Sequence, residues 1–302
     1  MKKATLVIAL AAALAAAAPA FAQTPRGQLQ EEGIAATPEQ ILRTQKPDAK
    51  DPRYVQAFRS LLESSTRKQM SDQVRLDGLL VKIYGQVSEP KMELLRRNVR
   101  AIVDNDRYYD HLANMAVPML QAKVPMEKIK EVINSSFLTT QVKGLRRVSE
   151  EDQMIFIAHI GRFMADLPLD VCKRVANAGM GEQEAVYLER KFLGSRSDEE
   201  FRVVADMYLR AIQAELTESP SVPVFTDAQK SSAQAIFNDG LLARMYKRMS
   251  AADASRVLND LNKASSAEAC AFSLDVFRTM LEMPAPFRRW HLQTFVEESA
   301  AE

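Results

Sequence analysis

From Tyr54 onward, apolar residues recur at the spacing of an amphipathic helix. Val55, Phe58, Leu61 and Leu62 form one such set, followed by Val74, Leu79, Val81 and Ile83, and then by Met92, Leu95, Val99, Ile102 and Val103. Spacings of i, i+3, i+4 and i+7 place these side chains on one stripe, which folding buries against a neighbour. Strand texture is missing from the sequence. Asp77-Gly78 and Asp239-Gly240, the dipeptides that favour hairpins, both lie inside helix-period stretches. The pattern predicts an all-α chain of ten to twelve helices. These would pair antiparallel through short loops and stack like a helical repeat or α-solenoid, with no substantial β-sheet.

Cap chemistry supports this reading. Ser149-Glu150-Glu151-Asp152, Ser197-Asp198-Glu199-Glu200, Thr226-Asp227-Ala228-Gln229 and Ser250-Ala251-Ala252-Asp253 each precede an apolar-periodic run. A hydroxyl at the N-cap accepts from an orphan backbone N–H, and the side chain three residues on can reach back to the N-cap N–H. Pro90, Pro125, Pro168, Pro220, Pro223, Pro284 and Pro286 sit where helices begin or turn, and Pro118 is expected to kink or break its helix.

The stretch Met180–Ile212 aligns without a gap on Met249–Leu281, 69 positions later. Met180 meets Met249, Ala185 meets Ala254, Ser197 meets Ser266, Glu199 meets Glu268 and Asp206 meets Asp275. Apolar positions stay in phase, as with Tyr208 and Phe277, so one helix–turn–helix unit is expected twice.

The first residues differ in texture. Lys2 and Lys3, the apolar run Thr5–Ala18 and Ala20-Phe21-Ala22 have the three parts of a secretory signal peptide cleaved after Ala22. The run is shorter than the roughly 20 residues that span a bilayer. This organisation predicts a signal peptide at 1–22, a mostly disordered polar leader at 23–53 and an all-helical domain at 54–302. Within the leader, Thr37-Pro38-Glu39-Gln40 predicts one short helix. A sub-boundary is expected near 217–225, where LTESPSVPVF interrupts the helical texture. The expected location is the periplasm.

Charge narrows the partners. Loss of Lys2 and Lys3 takes the formal charge from +1 to −1, in a chain that is 26% charged. This lacks the single-sign excess of nucleic-acid or anionic-membrane binders, so neither partner is expected, and no later stretch is long and apolar enough to span. In an oxidising compartment Cys172 and Cys270 read as one disulfide, closing a loop of about a hundred residues.

Candidate chemistry is sparse. Ser65-Thr66-Arg67-Lys68 fits the S-x-x-K spacing of acyl-enzymes, but the companion S-x-N and K-T-G elements are missing. His111, His159 and His291 lie far apart, and His159 sits in an apolar helix body as a hydrogen-bonded core residue. Met115/Met119, Met245/Met249 and Met280/Met283 fall at core spacing. With 10 glycines and no nucleotide fingerprint, no cofactor, metal or catalytic residue is assigned. Two aromatic–basic clusters remain, Arg107–His111 and Pro284–His291. Phe287, Arg288, Arg289, Trp290 and His291 are the expected partner surface, since Arg and Trp are enriched at interface hot spots. The expected function is a non-enzymatic binding protein, an adaptor, inhibitor or immunity-type protein acting on another envelope protein. An envelope enzyme with a composite site and a carrier of an apolar ligand are the alternatives.

Overall fold

The computed structural model describes residues 37–300 apart from Ala178, with the side chains of a few helical positions left out. The expected signal peptide at 1–22 and the first part of the expected leader lie outside these residues. Among the described residues there are fourteen α-helices, one 3-10 turn and no strand, so the fold is all-α. The count exceeds the expected ten to twelve because several helices are short. Pro38–Thr44 has seven residues, Leu169–Ala176 eight and Ala251–Asn259 nine. Runs of that length fall below the window in which a 3.6-residue period can be read.

Two compact units divide at residues 138 and 139, within a single helix. The segment 217–225, expected as a sub-boundary, takes in the end of one helix at Thr217 and the loop after it, all inside the second unit. The first unit holds α1 (Pro38–Thr44), α2 (Pro52–Met70), α3 (Gln73–Tyr84), α4 (Glu89–Val103), α5 (Asp106–Gln121) and the start of α6 (Met126–Gly144). Thr37 caps α1 with the reciprocal Gln40 bond, so residues 37–53 of the leader contain the expected helix. Around α2, the side chains of Phe58, Leu62, Leu76, Leu80, Leu95, Tyr109 and Leu112 make the core. Pro118 does not break α5. It lies in the last turn, where the missing N–H costs one bond, and Ala122 N still donates to Pro118 O.

In the second unit α7 (Glu150–Asp166) is the central helix. It packs against α10 (Asp198–Thr217), α13 (Ser266–Glu282) and α14 (Phe287–Ala300). Phe163 on α7 also meets Phe192 on α9 (Glu182–Ser195), with ring centroids 5.7 Å apart. Around this frame stand α8 (Leu169–Ala176), α11 (Asp227–Tyr246) and α12 (Ala251–Asn259). All four expected caps form. Ser149, Ser197, Thr226 and Ser250 accept from the backbone N–H of Asp152, Glu200, Gln229 and Asp253.

The repeat is present with one correction. α9 and α12 begin 69 residues apart, at Glu182 and Ala251, but α10 and α13 begin at Asp198 and Ser266. The hydroxyl that caps α13 is Ser265, not Ser266, because the 3-10 turn Leu261–Lys263 replaces the last turn of the first helix and shifts the register by one. The two second helices share a destination, since α10 and α13 both pack on α7. Tyr208 of α10 stands edge-on to His159, and Phe277 of α13 covers Gly161 so closely that an added Cβ would lie 3.2 Å from its own. The pair is therefore used twice around one helix, as a bundle.

Cys172 on α8 and Cys270 on α13 stand at disulfide distance, with Cα atoms 5.7 Å apart and a sequence separation of 98. Both are buried. No described helix is long and apolar enough to cross a membrane.

Candidate functional site

The N-terminal end of α7 brings together aromatic, basic and apolar groups from several elements of the second unit. Just before it, Arg147 donates Nε to the Glu215 carboxylate at 2.8 Å and Nη1 to the carbonyls of Glu218 and Pro220 at 3.1 and 3.0 Å. It thereby fastens the start of the loop that follows α10. In the first turn of α7, Glu150 accepts from Arg288 Nε at 2.7 Å, which ties the start of α14 to α7. Phe287 and Trp290 meet edge to face at 5.4 Å, and Trp290 in turn meets Phe225, the far end of the same loop, at 6.4 Å.

Beside these contacts lies an open groove of about 500 Å³. Met154, Ile155 and Ala158 of α7 and Leu281 of α13 form its floor, and Glu150, Glu151 and Arg288 its rim. The four floor residues are half-buried, so the groove offers apolar surface to solvent at a place where charged side chains mark its edge. Such a shape has room for one or two aliphatic groups.

The structure separates the five residues expected as a partner surface. Arg289 is exposed, while Phe287, Arg288 and Trp290 are half-buried along the rim and the aromatic cluster. His291 turns inward. Its ring stacks on Phe237 at 4.2 Å, and burial pushes its pKa down to about 4. It is the one of the five that is buried. The other cluster contributes less. Tyr108 and Tyr109 are buried in the first unit, Tyr109 donates to Val103 O at 2.8 Å, and its burial raises the phenol to about 12.

Deeper in the second unit is a polar cluster that the sequence reading missed. Glu189 and Arg190 of α9 are both buried, as are His159 of α7, Tyr208 of α10 and Gln141 of α6. Glu189 Oε1 accepts from His159 Nε2 at 2.5 Å and from the Tyr208 hydroxyl at 3.1 Å. Arg190 Nε stands 3.4 Å from Glu189 Oε2, its Nη2 donates to Gln141 Oε1 at 3.1 Å, and its guanidinium lies 4.7 Å from the centre of the Tyr208 ring. Burial, the largest influence, pushes the Glu189 carboxyl up. The Arg190 charge, the His159 contact and the Tyr208 hydroxyl together outweigh it and hold the group below its ordinary value. Glu189 is therefore ionised and accepts only, so His159 carries its proton on Nε2. The cluster sets one buried carboxylate against one buried guanidinium, and it ties α6, α7, α9 and α10 together. Its members are too deeply buried for a dissolved substrate to reach them in this conformation.

Other candidates are placed in ordinary surroundings. Met245, Met280 and Met283 are buried core, and Ser65 and Lys68 share α2 with Lys68 exposed. No group of three His, Cys, Asp or Glu that could hold a metal ion occurs among the described residues.

Fold and surface define a helical bundle with an apolar groove beside an aromatic–basic rim. No family model matches the chain, and no curated protein or solved structure does either.

Proposed function

We propose that the chain is a non-enzymatic binding protein of the cell envelope, exported to the periplasm, and that it engages another envelope protein through the surface at the start of α7. The observation that carries this reading is the open apolar groove bordered by Arg288 and adjoining Phe287 and Trp290. Binding energy at protein interfaces concentrates in a few Trp, Tyr and Arg side chains around a desolvated centre, and this surface supplies Trp290, Arg288 and Arg289. Export is supported by the signal-like first residues and by the cysteine pair at disulfide distance, a pairing that persists where the surroundings are oxidising. The groove opens to solvent, which suits a side chain of a partner better than an enclosed lipid.

Affinity isolation from periplasmic extract, with residues 23–302 and with the same chain carrying Ile155→Glu, tests the proposal. A stoichiometric partner that the variant loses while keeping its helicity is the expected result. A co-purifying lipid, or a partner retained by the variant, overturns it.

A further inference from the structure

Between α10 and α11 the chain crosses the surface in Glu218–Thr226, and Ser221–Thr226 contains no helix, turn or strand. Both ends are held. Arg147 grips Glu218 and Pro220 through their carbonyls, while Phe225 meets Trp290 and Thr226 caps α11. The middle is free. Ser221, Val222, Val224 and Phe225 make no hydrogen bond through their backbone N–H to any described residue, and Val224 is 92% exposed. Val224 is the most exposed of the large apolar side chains among the described residues.

The local sequence makes this strap one-sided. Val222 precedes Pro223, which biases it to extended backbone. In an extended segment the N–H and C=O of alternate residues point to the same edge. Val222 and Val224 therefore share one edge with two donors and two acceptors. The opposite edge carries Ser221, Pro223 and Phe225, and proline at its centre has no N–H to give, so only the Val222–Val224 edge is uninterrupted.

We infer that the strap Ser221–Phe225 is a recognition element that pairs through the backbone of Val222 and Val224 with the open strand edge of a partner protein, burying Val224. This rests on the proposed binding function and names the kind of partner it takes. Strand addition draws affinity from main-chain hydrogen bonds and specificity from alternate side chains. A strap already fixed at both ends loses less conformational freedom on pairing than a loose loop does.

The test places the photo-crosslinking residue p-benzoylphenylalanine at position 224, at position 158 in the groove or at exposed position 246, in the full chain expressed in its native host. The expected result is one adduct of common mass from 224 and 158 and none from 246. The 224 adduct should fall at least tenfold with Val222→Pro, which removes a pairing N–H, and survive Val222→Ala, which keeps it. An adduct from 158 without one from 224, or one from 224 indifferent to Val222→Pro, overturns the strap while the binding surface stands. Adducts at none of the sites overturn both, and equal labelling at 246 marks random contact and also overturns the strap.

Discussion

Replacing Glu189 by Gln removes one charge from the buried cluster and almost no volume. Arg190 stays buried with its guanidinium over the Tyr208 ring and bonded to Gln141, but the carboxylate that neutralised it is gone. Removing one partner of a buried ion pair costs about 3–5 kcal/mol, because the remaining charge has lost its carboxylate in a low-dielectric interior. For a unit of this size that lowers Tm by on the order of 10 °C. Replacing both charges, Glu189→Leu with Arg190→Met, should recover much of the loss, since a buried pair exchanged for apolar groups is often near neutral. Urea unfolding followed by the fluorescence of Trp290, the single tryptophan, and by circular dichroism measures both variants. The pH dependence has a definite sign. Glu189 is held below its ordinary value, so its stabilising share is present above about pH 4.3 and lost as pH falls through the folded value. The penalty of the Gln variant should therefore shrink below about pH 4. A Gln variant that loses under about 1 kcal/mol at pH 7, or a double variant less stable than the single one, would refute the charge-balance argument.

Four further outcomes follow from particular positions. Gly144→Ala should cost about 1–3 kcal/mol or more, because the new Cβ would stand 1.8 Å from Ala211 O and force α6 and α10 apart. Gly78→Ala, with nothing within 4 Å, should stabilise α3 by about 0.5–1 kcal/mol in the same urea titration. Thiol titration of the denatured, unreduced chain should find no free cysteine, and Cys172→Ser with Cys270→Ser should lose about 4–5 kcal/mol on the chain-entropy treatment of a loop this long. His291, with its pKa pushed down by burial to about 4, binds its proton more readily when unfolded. It therefore costs stability as pH falls from about 6.5 to about 4, on the order of 3 kcal/mol in all. His291→Phe should flatten that part of the acid-unfolding curve, and an imidazole titrating near pH 6.5 in nuclear magnetic resonance would contradict the burial.

The parts of the fold legible in the sequence are those set by neighbours along the chain. Caps at Ser149, Ser197, Thr226 and Ser250 need only residues three apart, and the helices they start are where the caps put them. The repeat was legible to within one residue, because a 3-10 turn at Leu261–Lys263 leaves no mark on hydrophobic period. Glu189 was missed for a different reason. In EAVYLERKF it reads as an ordinary surface acid, and its partners His159 and Tyr208 lie 30 and 19 residues away. One signal was available: Glu189 falls four residues after Ala185 and four before Leu193, on the stripe those buried residues define. The groove was hidden because α7 is apolar on several sides, so Met154, Ile155 and Ala158 look the same in sequence as the buried Phe156 and Ile157. Which side stays open depends on Leu281 and Arg288, more than a hundred residues away.

The cysteine pair has a topological consequence for the strap. With Cys172 and Cys270 joined, every residue between them lies on a closed covalent ring, and Ser221–Phe225 is on that ring. A protease that nicks the exposed strap therefore opens the ring without releasing a fragment. The cut halves stay together through one sulfur bond and, still wrapped around α7, keep their core. The exposed strap can thus be cut without the molecule coming apart, as long as its surroundings stay oxidising.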